Sequence, residues 1–553
     1  MRSSNRECVD GGVSTPPETQ SGPETNAPLT AAVASPATTI GARRPLRIGE
    51  WRLLALIVLL FILRDLPWRL EESGQAEHAF TSLEMVRAGH WWFQHRPGSV
   101  LATVEPPLAG WCSAACYYFS GGDWDLAWRL PSLCAGLALL AVLWQAGEQV
   151  WPRWGGTLAA GAFALNFLTP RVAMLASPEM LFALETALLG LVVWSHVREN
   201  RPWSAGSRWL VFWMLLAALM TAGPIVYAFL WPGMIVHRWI SRRRGARPIP
   251  DAWGGWWHWT LPVLPFLLWL ERGAVVMPGF YQQIIGQHLP GNTASLGAAG
   301  PESPPFYFYA VALLTGWLPW SVLFLAVRLR ALRVWWRLCG DPGTLWLICW
   351  TFGGLMCLWL FSAKPIDRIL PVVPPLCLLL TALLAAARSS SSGPCAAGEI
   401  LPESAWPQNW SRWTLWLACS VTVVASVAQV SLAYRQRANA CADFAARVRA
   451  TTGPGRCELV LTGKPTAQDA AMLVYLRRLS YIDAPEAIQL QSTGELDRIV
   501  LDDPSARGAR SLLTRFDGSQ PLLVCGGGAK FVLLAGNVPA PTAPQHGIRR
   551  KSP

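Results

Sequence analysis

The sequence predicts a polytopic α-helical membrane protein that ends in a small α/β unit. Three observations predict it. Of 553 residues 52% are hydrophobic and only 14% charged, whereas soluble domains carry about 25% charged residues. Apolar runs recur to about residue 435, each long enough, at about 1.5 Å of rise per residue, to cross a hydrocarbon core of about 30 Å. The 32 tryptophans gather at the ends of those runs, where an amphipathic ring is best accommodated between lipid and water.

In chain order, residues 1–45 are rich in Pro, Ser, Thr, Gly and Ala, have no apolar period and lack a cleavable signal core. They read as a disordered cytoplasmic tail. About eleven spans follow, near 50–66, 127–149, 155–172, 178–197, 208–220, 222–240, 256–275, 306–328, 343–362, 368–387 and 412–434, which makes 46–435 one transmembrane domain. Thr221, Ala222, Gly223 and Pro224 require a tight turn or a broken helix inside the stretch 208–240.

Arginines cluster in alternate loops: Arg43, Arg44 and Arg47; Arg198, Arg201 and Arg208; Arg242, Arg243, Arg244 and Arg247; Arg328, Arg330, Arg333 and Arg337. Positive loops stay in the cytoplasm, so the opposite loops, 67–126, 173–177, 276–305, 363–367 and everything after 435, are expected outside. The reading is a multi-pass protein of the plasma (inner) membrane with its N-terminus cytoplasmic. The formal net charge of +12 is largely this topology signal, and no nucleic-acid partner is needed to explain it.

Beyond 435 the composition becomes that of a soluble unit. CELVLTG and DRIVLDD read as strands, AQDAAMLVYLRRL and SARGARSLLTRF as amphipathic helices, and PLLVCGGGAKFVLLAG as two strands about a glycine turn. This predicts an extracytoplasmic α/β domain over 436–540 and a flexible basic tail over 541–553. The GGG lacks the helix and acidic residue of a nucleotide fingerprint, so it reads as a turn. Of 13 cysteines, most lie in or beside spans as small hydrophobes and none has zinc or haem spacing. Cys441, Cys457 and Cys525 allow one disulfide, with Cys441–Cys457 as one pairing.

The first outer loop carries LEESGQAEHAFTSLEM at 70–85. Ala76, Ala79, Phe80, Leu83 and Val86 recur at i, i+3, i+4, i+7 and i+10, one apolar face of a helix expected to lie along the membrane. Ser73 is its expected N-cap, which sets Glu71 and Glu72 just ahead of the positive helix end. Carboxylates held there serve as a general base or bind a metal or cation, or else simply decorate a helix start. Glu77 and Glu84 are expected on a solvated face. In GHWWFQHRPG, 89–98, His90 and Trp91 could contact a sugar, although interfacial anchoring by Trp91 and Trp92 explains the aromatics equally. The separation of His90 and His95 suits neither a single helical face nor a paired-histidine motif, so no metal ligand is named.

The order of motifs resembles the GT-C superfamily of polytopic glycosyltransferases, in the branch of the lipid A aminoarabinose transferases and the dolichyl-phosphate-mannose protein mannosyltransferases. The resemblance covers most of 50–435 and rests on Glu84 and Met85 followed by Gly89, His90 and Trp91; Pro106, Pro107 and Leu108; Arg129, Leu130, Pro131 and Ser132; and then SPEM, TAGP, GQHL, GWLPW and FSAKPIDRILPVVPP. It implies transfer of a sugar from a polyprenyl-phosphate donor to a lipid, protein or glycan acceptor at the outer membrane face.

The resemblance also implies roles. Counted without gaps from Glu84, the family's acidic pair falls on Gly74 and Gln75, and a three-residue shift brings Glu71 and Glu72 there as catalytic carboxylates. Glu179 corresponds to the second acidic site, and by itself also reads as an ordinary carboxylate at a helix start. Family lysines correspond to Glu105 and Ala222, which leaves Lys364, Arg368, His288 and Arg129 for the donor phosphate, and His90, Trp91 and Gln287 for substrate. Lys364 and Arg368 also suit snorkelling to the surface or pairing with Asp367. No definite cofactor is implied, and a divalent metal is allowed. Two other functions stay open: a GT-C-derived protein that binds lipid or glycan without catalysis, and a transporter or flippase, which ionisable residues within the spans or inverted repeats would favour.

Overall fold

The computed structural model describes residues 48–63, 70, 74–98, 103, 105–152, 154–243, 253–277, 279–281, 307–330, 340–359, 366–389, 410–435, 440–452, 457–463, 465–506, 509–516, 521–525 and 530–535. Helices α1 (Ile48–Leu63), α2 (Gln75–Ala88), α3 (Leu108–Phe119), α4 (Trp124–Ala127), α5 (Leu130–Val150), α6 (Gly155–Ala164), α7 (Thr169–Ala173), α8 (Glu179–Glu199), α9 (Ala205–Ala222), α10 (Ile225–Arg243), α11 (Trp257–Thr260) and α12 (Val263–Val276) come first. They are followed by α13 (Phe308–Gly316), α14 (Trp320–Arg330), α15 (Pro342–Trp359), a 3-10 turn (Ile366–Val372), α16 (Val373–Ser389) and α17 (Trp410–Arg435).

Among the described residues seven helical segments are long and apolar enough to cross a membrane. The other four expected spans are helical too: α1 and α10 are continuous over their described residues, whereas 155–172 and 306–328 are interrupted. Helix α6 stops because the Asn166 amide donates back to the carbonyls of Ala162 (3.0 Å) and Phe163 (2.6 Å) while its oxygen accepts from the Leu168 and Thr169 N–H groups. Helix α10 runs unbroken through Pro232 over 19 residues, and the stretch 306–328 divides between α13 and α14, with the cis peptide Leu318–Pro319 between them. Trp317 and Trp320 of GWLPW are buried, and their indoles donate to the carbonyls of Ala162 and Leu165 at 3.0 and 2.9 Å. That motif therefore locks α13 and α14 onto the end of α6.

Close helix contacts depend on small residues, since apolar lipid gives little hydrophobic drive for helix association. A Cβ on Gly147 would lie 2.3 Å from the Gly155 carbonyl oxygen, and one on Gly155 2.1 Å from that of Gly147. Outward positions such as Leu264, Leu268, Val275 and Val424 are exposed, as lipid-facing residues should be. Arg198 stacks over Trp194 and Arg243 over Trp239 at the ends of α8 and α10, the amphipathic pairing expected at an interface.

The remaining elements are α18 (Ala440–Thr452), β1 (Cys457–Leu461), α19 (Ala467–Leu476), β2 (Ile482–Asp483), α20 (Ala484–Ser492), β3 (Arg498–Leu501), α21 (Arg510–Arg515), β4 (Leu523–Val524) and β5 (Val532–Ala535). They form one sheet of order β2-β1-β3-β5-β4, parallel between β2, β1 and β3 and antiparallel from there. Side chains alternate as the two-residue period requires. Leu459, Val500 and Leu533 face a cluster with Phe444, Val448 and Met472, whereas Val460, Ile499, Leu501 and Leu534 face one with Ala487, Leu512 and Phe516.

The first of those clusters also contains Ala76, Ala79, Phe80 and Leu83 of α2, with Val86 packed at its margin. The apolar face of α2, expected to lie along the membrane, packs instead on α19, which in turn packs on α18. A helix buries its stripe against the nearest apolar partner, and that partner lies almost four hundred residues downstream, with Tyr475 accepting from the Leu70 N–H at 3.0 Å. Capping differs too: Gly74, in the left-handed conformation, holds the N-cap of α2 in place of Ser73, which lies outside the described residues along with Glu71 and Glu72. The Cys441 sulfur lies 3.8 Å from that of Cys525, so Cys525 is the nearer partner, and Cys457 is buried in β1.

Candidate active site where distant motifs converge

Four motifs that are far apart in sequence line one cleft. Glu105, Pro106 and Pro107, then Pro131 and Ser132, then Ser177 and Pro178, and finally Thr221 line a small cleft that is partly open to solvent. His78, Thr81 and Met85 of α2 close another wall, and Gln94 a further one. Hydrogen bonds fix the walls to each other. Ser132 donates through its hydroxyl to the Ser177 carbonyl at 2.7 Å, and the Gln75 side-chain oxygen accepts from the Ala176 N–H at 3.1 Å. Gln75 is the residue that ungapped counting puts at an acidic family position, and it is buried against the loop before the second acidic site.

His78 and Glu105 face each other across this cleft, Nδ1 to Oε2 at 2.7 Å. Burial alone would make the imidazole harder to protonate, but the charge and hydrogen bond of Glu105, with Glu179 and Glu77 behind, outweigh it and push His78 up to about 9. Glu77 is raised chiefly by burial and by Glu105. Pro178 lines the cleft and Glu179 opens α8 beside it. Among the described residues the Glu179 Oε2 is buried with no hydrogen-bond partner, and the carboxylate is within electrostatic reach of both His78 and Asp367. An unsatisfied carboxylate oxygen beside a cleft is a group held ready to accept a proton or a hydroxyl donor. At the floor, the Thr221 hydroxyl donates to Glu185 Oε1 at 3.0 Å. Residues that sequence reasoning missed are His78 and its partner Glu105 in the cleft, and Glu185 behind Thr221. The available signal for the last was an ionisable residue inside an apolar span.

The other expected site residues divide. Arg129 is buried just before the cleft-lining Pro131, and its Nη1 donates to the Asp125 carbonyl at 2.6 Å. Arg368 is half-buried in the 3-10 turn. Trp91 is exposed, outside the cleft, and its carbonyl accepts from the Trp111 indole at 2.7 Å. Phe93 stacks on Trp269, so 91–93 docks on α3 and α12. Glu71, Glu72, Lys364, His288 and Gln287 lie outside the described residues.

Glu84 reverses its expectation. Only 4% exposed, it is no part of a solvated face, because the chain turns back over it after Gly89 (φ 76°). Glu84 Oε1 meets His90 Nδ1 at 2.8 Å and His95 Nδ1 at 2.6 Å, and its Oε2 accepts from the His95 N–H at 2.6 Å. The two histidines, which share no helical face, are thus brought to one carboxylate by a turn.

No protein-family model matches this chain. An "undecaprenyl phosphate-alpha-4-amino-4-deoxy-L-arabinose arabinosyl transferase 1" of Sodalis glossinidius is 27% identical over 357 residues, 60% of this chain and 59% of the relative. The transferase of the same name from Edwardsiella ictaluri is 25% identical over 342 residues. The chain thus spans about 59% of the length of such curated relatives. Among solved structures, ArnT from Cupriavidus metallidurans bound to undecaprenyl phosphate superposes with a TM-score of 0.58 at 17% identity, covering 90% of this chain and 98% of that one. The chain has the ArnT fold. The apo oligosaccharyltransferase of Archaeoglobus fulgidus gives 0.51 at 11% identity over 82% of this chain and 69% of that one. The resemblance to GT-C glycosyltransferases is borne out, and the chain is an integral multi-pass membrane protein.

Proposed function

We propose that this chain transfers a sugar from a polyprenyl-phosphate donor to a lipid, protein or glycan acceptor at the outer face of the inner membrane. The carrying observation is the cleft: Met85, Pro106 and Pro107, Pro131 and Ser132, Ser177 and Pro178, and Thr221, each from a motif read separately as part of one transferase pattern, line the same space. Relatives whose names specify an undecaprenyl-phosphate-linked aminoarabinose donor support the donor class. In this reading 46–435 is the transferase domain, 436–540 an extracytoplasmic unit, and the arginine-rich loops are cytoplasmic.

In the step proposed, a carboxylate takes the proton of the acceptor hydroxyl as that oxygen attacks the anomeric carbon. The bond from carbon to phosphate oxygen breaks, and polyprenyl phosphate leaves with the electron pair. Glu179 is the base best supported by the described residues, because its Oε2 is buried and unsatisfied beside the cleft. Glu71 and Glu72 remain proposed carboxylates of the same reaction. Arg129 and Arg368, with Lys364 and His288, are proposed to steady the departing phosphate, and Gln287 to contact substrate; the expected substrate residues His90 and Trp91 do not line the cleft. A non-catalytic lipid- or glycan-binding role is the second reading, favoured by one observation: Glu105, at a family lysine position, occupies His78 with a negative charge.

Purified full-length protein in liposomes, given polyprenyl-phosphate sugars and a panel of lipid and peptide acceptors, should release polyprenyl phosphate. Glu179→Gln should lower that release by about 10²- to 10⁴-fold, the usual share of a general base, with donor binding retained. Unchanged turnover in Glu179→Gln would remove Glu179 from the role and return it to Glu71 or Glu72. Donor binding without turnover by any protein would favour the second reading.

A further inference from the structure

We infer that Glu84, His90 and His95 form a binding site for one divalent metal ion of the zinc class. One ligand atom from each residue lies within 4.8 Å of the others. The elements that bring them together are specific. Glu84 projects from the last turns of α2, Gly89 in the left-handed conformation ends that helix, and the Trp91 N–H closes a turn onto the Gly89 carbonyl at 3.0 Å. His90 is thereby returned to Glu84 at once, and the following loop returns His95.

Two imidazole nitrogens and a carboxylate oxygen are a common donor set for zinc, which prefers tetrahedral sites of nitrogen, sulfur and oxygen ligands. Tetrahedral ligands at about 2.0–2.1 Å from zinc are about 3.3 Å from one another, whereas the nitrogen-to-oxygen separations here are 2.8 and 2.6 Å. A few tenths of an ångström of opening would admit the ion. The second Glu84 oxygen is held by the His95 backbone N–H, the outer support that orients a ligating carboxylate. His90 and His95 side chains are 47% and 32% exposed, so the outward side has room for a solvent ligand.

The ion would clamp the segment 89–98 to α2. That segment places Gln94, whose amide donates to the His90 carbonyl at 2.7 Å, in the wall of the cleft. Its far end at Gly98 lies so close to the Tyr481 ring that a Cβ there would overlap it. One ion would therefore join α2, the cleft and the C-terminal unit. Metal uptake needs no donor or acceptor, so this inference stands apart from the transferase reading.

Full-length protein without a histidine tag, stripped by chelator in detergent, should take up one equivalent of Co²⁺ with visible d–d bands that zinc abolishes. Zinc should also raise the thermal midpoint of the stripped protein. His90→Asn and His95→Asn keep a side-chain donor for Glu84 while removing the imidazole ligand. Each should unfold at the stripped protein's midpoint, lose the zinc-induced rise and bind Co²⁺ at least about 10-fold more weakly. Absence of stoichiometric uptake by the unsubstituted chain overturns the site. So does undiminished uptake in the double variant, or a strong near-ultraviolet thiolate-to-cobalt band that assigns the ion to cysteines.

Discussion

His78 owes its charge to its neighbours, and that has a measurable consequence. Its ordinary value of 6.5 rises to about 9 because Glu105, then Glu179 and Glu77, outweigh the effect of burial. The folded state therefore holds this proton more tightly than the unfolded chain. The resulting stabilisation is complete below about 6.5 and is lost as pH climbs through about 9. Thermal midpoints of the full-length protein should fall across that window, and Glu105→Gln should flatten the His78 part of the profile. A profile that rises there, or one unaffected by Glu105→Gln, would contradict the pairing. None of this was legible in the sequence, where His78 is one residue of an amphipathic turn and Glu105 reads only as a departure from a lysine. Their meeting depends on two loop segments crossing, which spacing does not encode. Glu84 was missed for a related reason. Its position on α2 was readable, but its burial is imposed by the turn at Gly89.

Helix α2 shows what periodicity can and cannot determine. The positions of its apolar stripe were legible, and Ala76, Ala79, Phe80 and Leu83 are all buried. The surface that covers them was not, because a stripe specifies an apolar partner without saying whether it is lipid or protein. Phe80 lies 1% exposed in the cluster shared with Phe444, Val448 and Met472. Phe80→Ala should cost about 3–5 kcal/mol and, more tellingly, speed hydrogen exchange in α19 as well as in α2. Exchange that rises in α2 alone would mean that the two helices do not share a core. The strands after 435 were legible because short apolar runs bounded by turn residues suit a sheet covered on both faces. The break in 306–328 was less so, since it lies inside an apolar run that hydropathy reads as continuous. Steric demand gives a second test at this scale. Gly147→Leu places bulk where a Cβ already meets the Gly155 carbonyl at 2.3 Å, so α5 and α6 must separate, and the thermal midpoint in detergent should fall by several degrees, whereas Gly121→Ala, with open space around it, should cost only its positive φ.

At the scale of the molecule, packing constrains topology independently of charge. Helix α2 follows the first span, and α18 and α19 follow the last, yet all three share one buried cluster. The first loop and the chain beyond 435 must then lie on the same side of the membrane. An even number of crossings has to separate them, and the ten spans expected between 127 and 434 satisfy that parity. On the orientation proposed from the arginine-rich loops, this shared side is the exterior. Reporter fusions after residue 435 and insertions at Gly121, an open turn beyond α3, should therefore report the same compartment, and that compartment should be external. Opposite signals would break the shared core, whereas two cytoplasmic signals would leave the packing intact and invert only the charge argument. The same geometry predicts the effect of removing 436–553. Truncation strips the cover from Phe80 and Leu83, loosening the wall of the cleft that carries His78 and Met85, so the shortened chain should still insert but should lose donor binding and turnover together. Retention of both by the truncated chain would show that α2 can hold the cleft without the C-terminal unit.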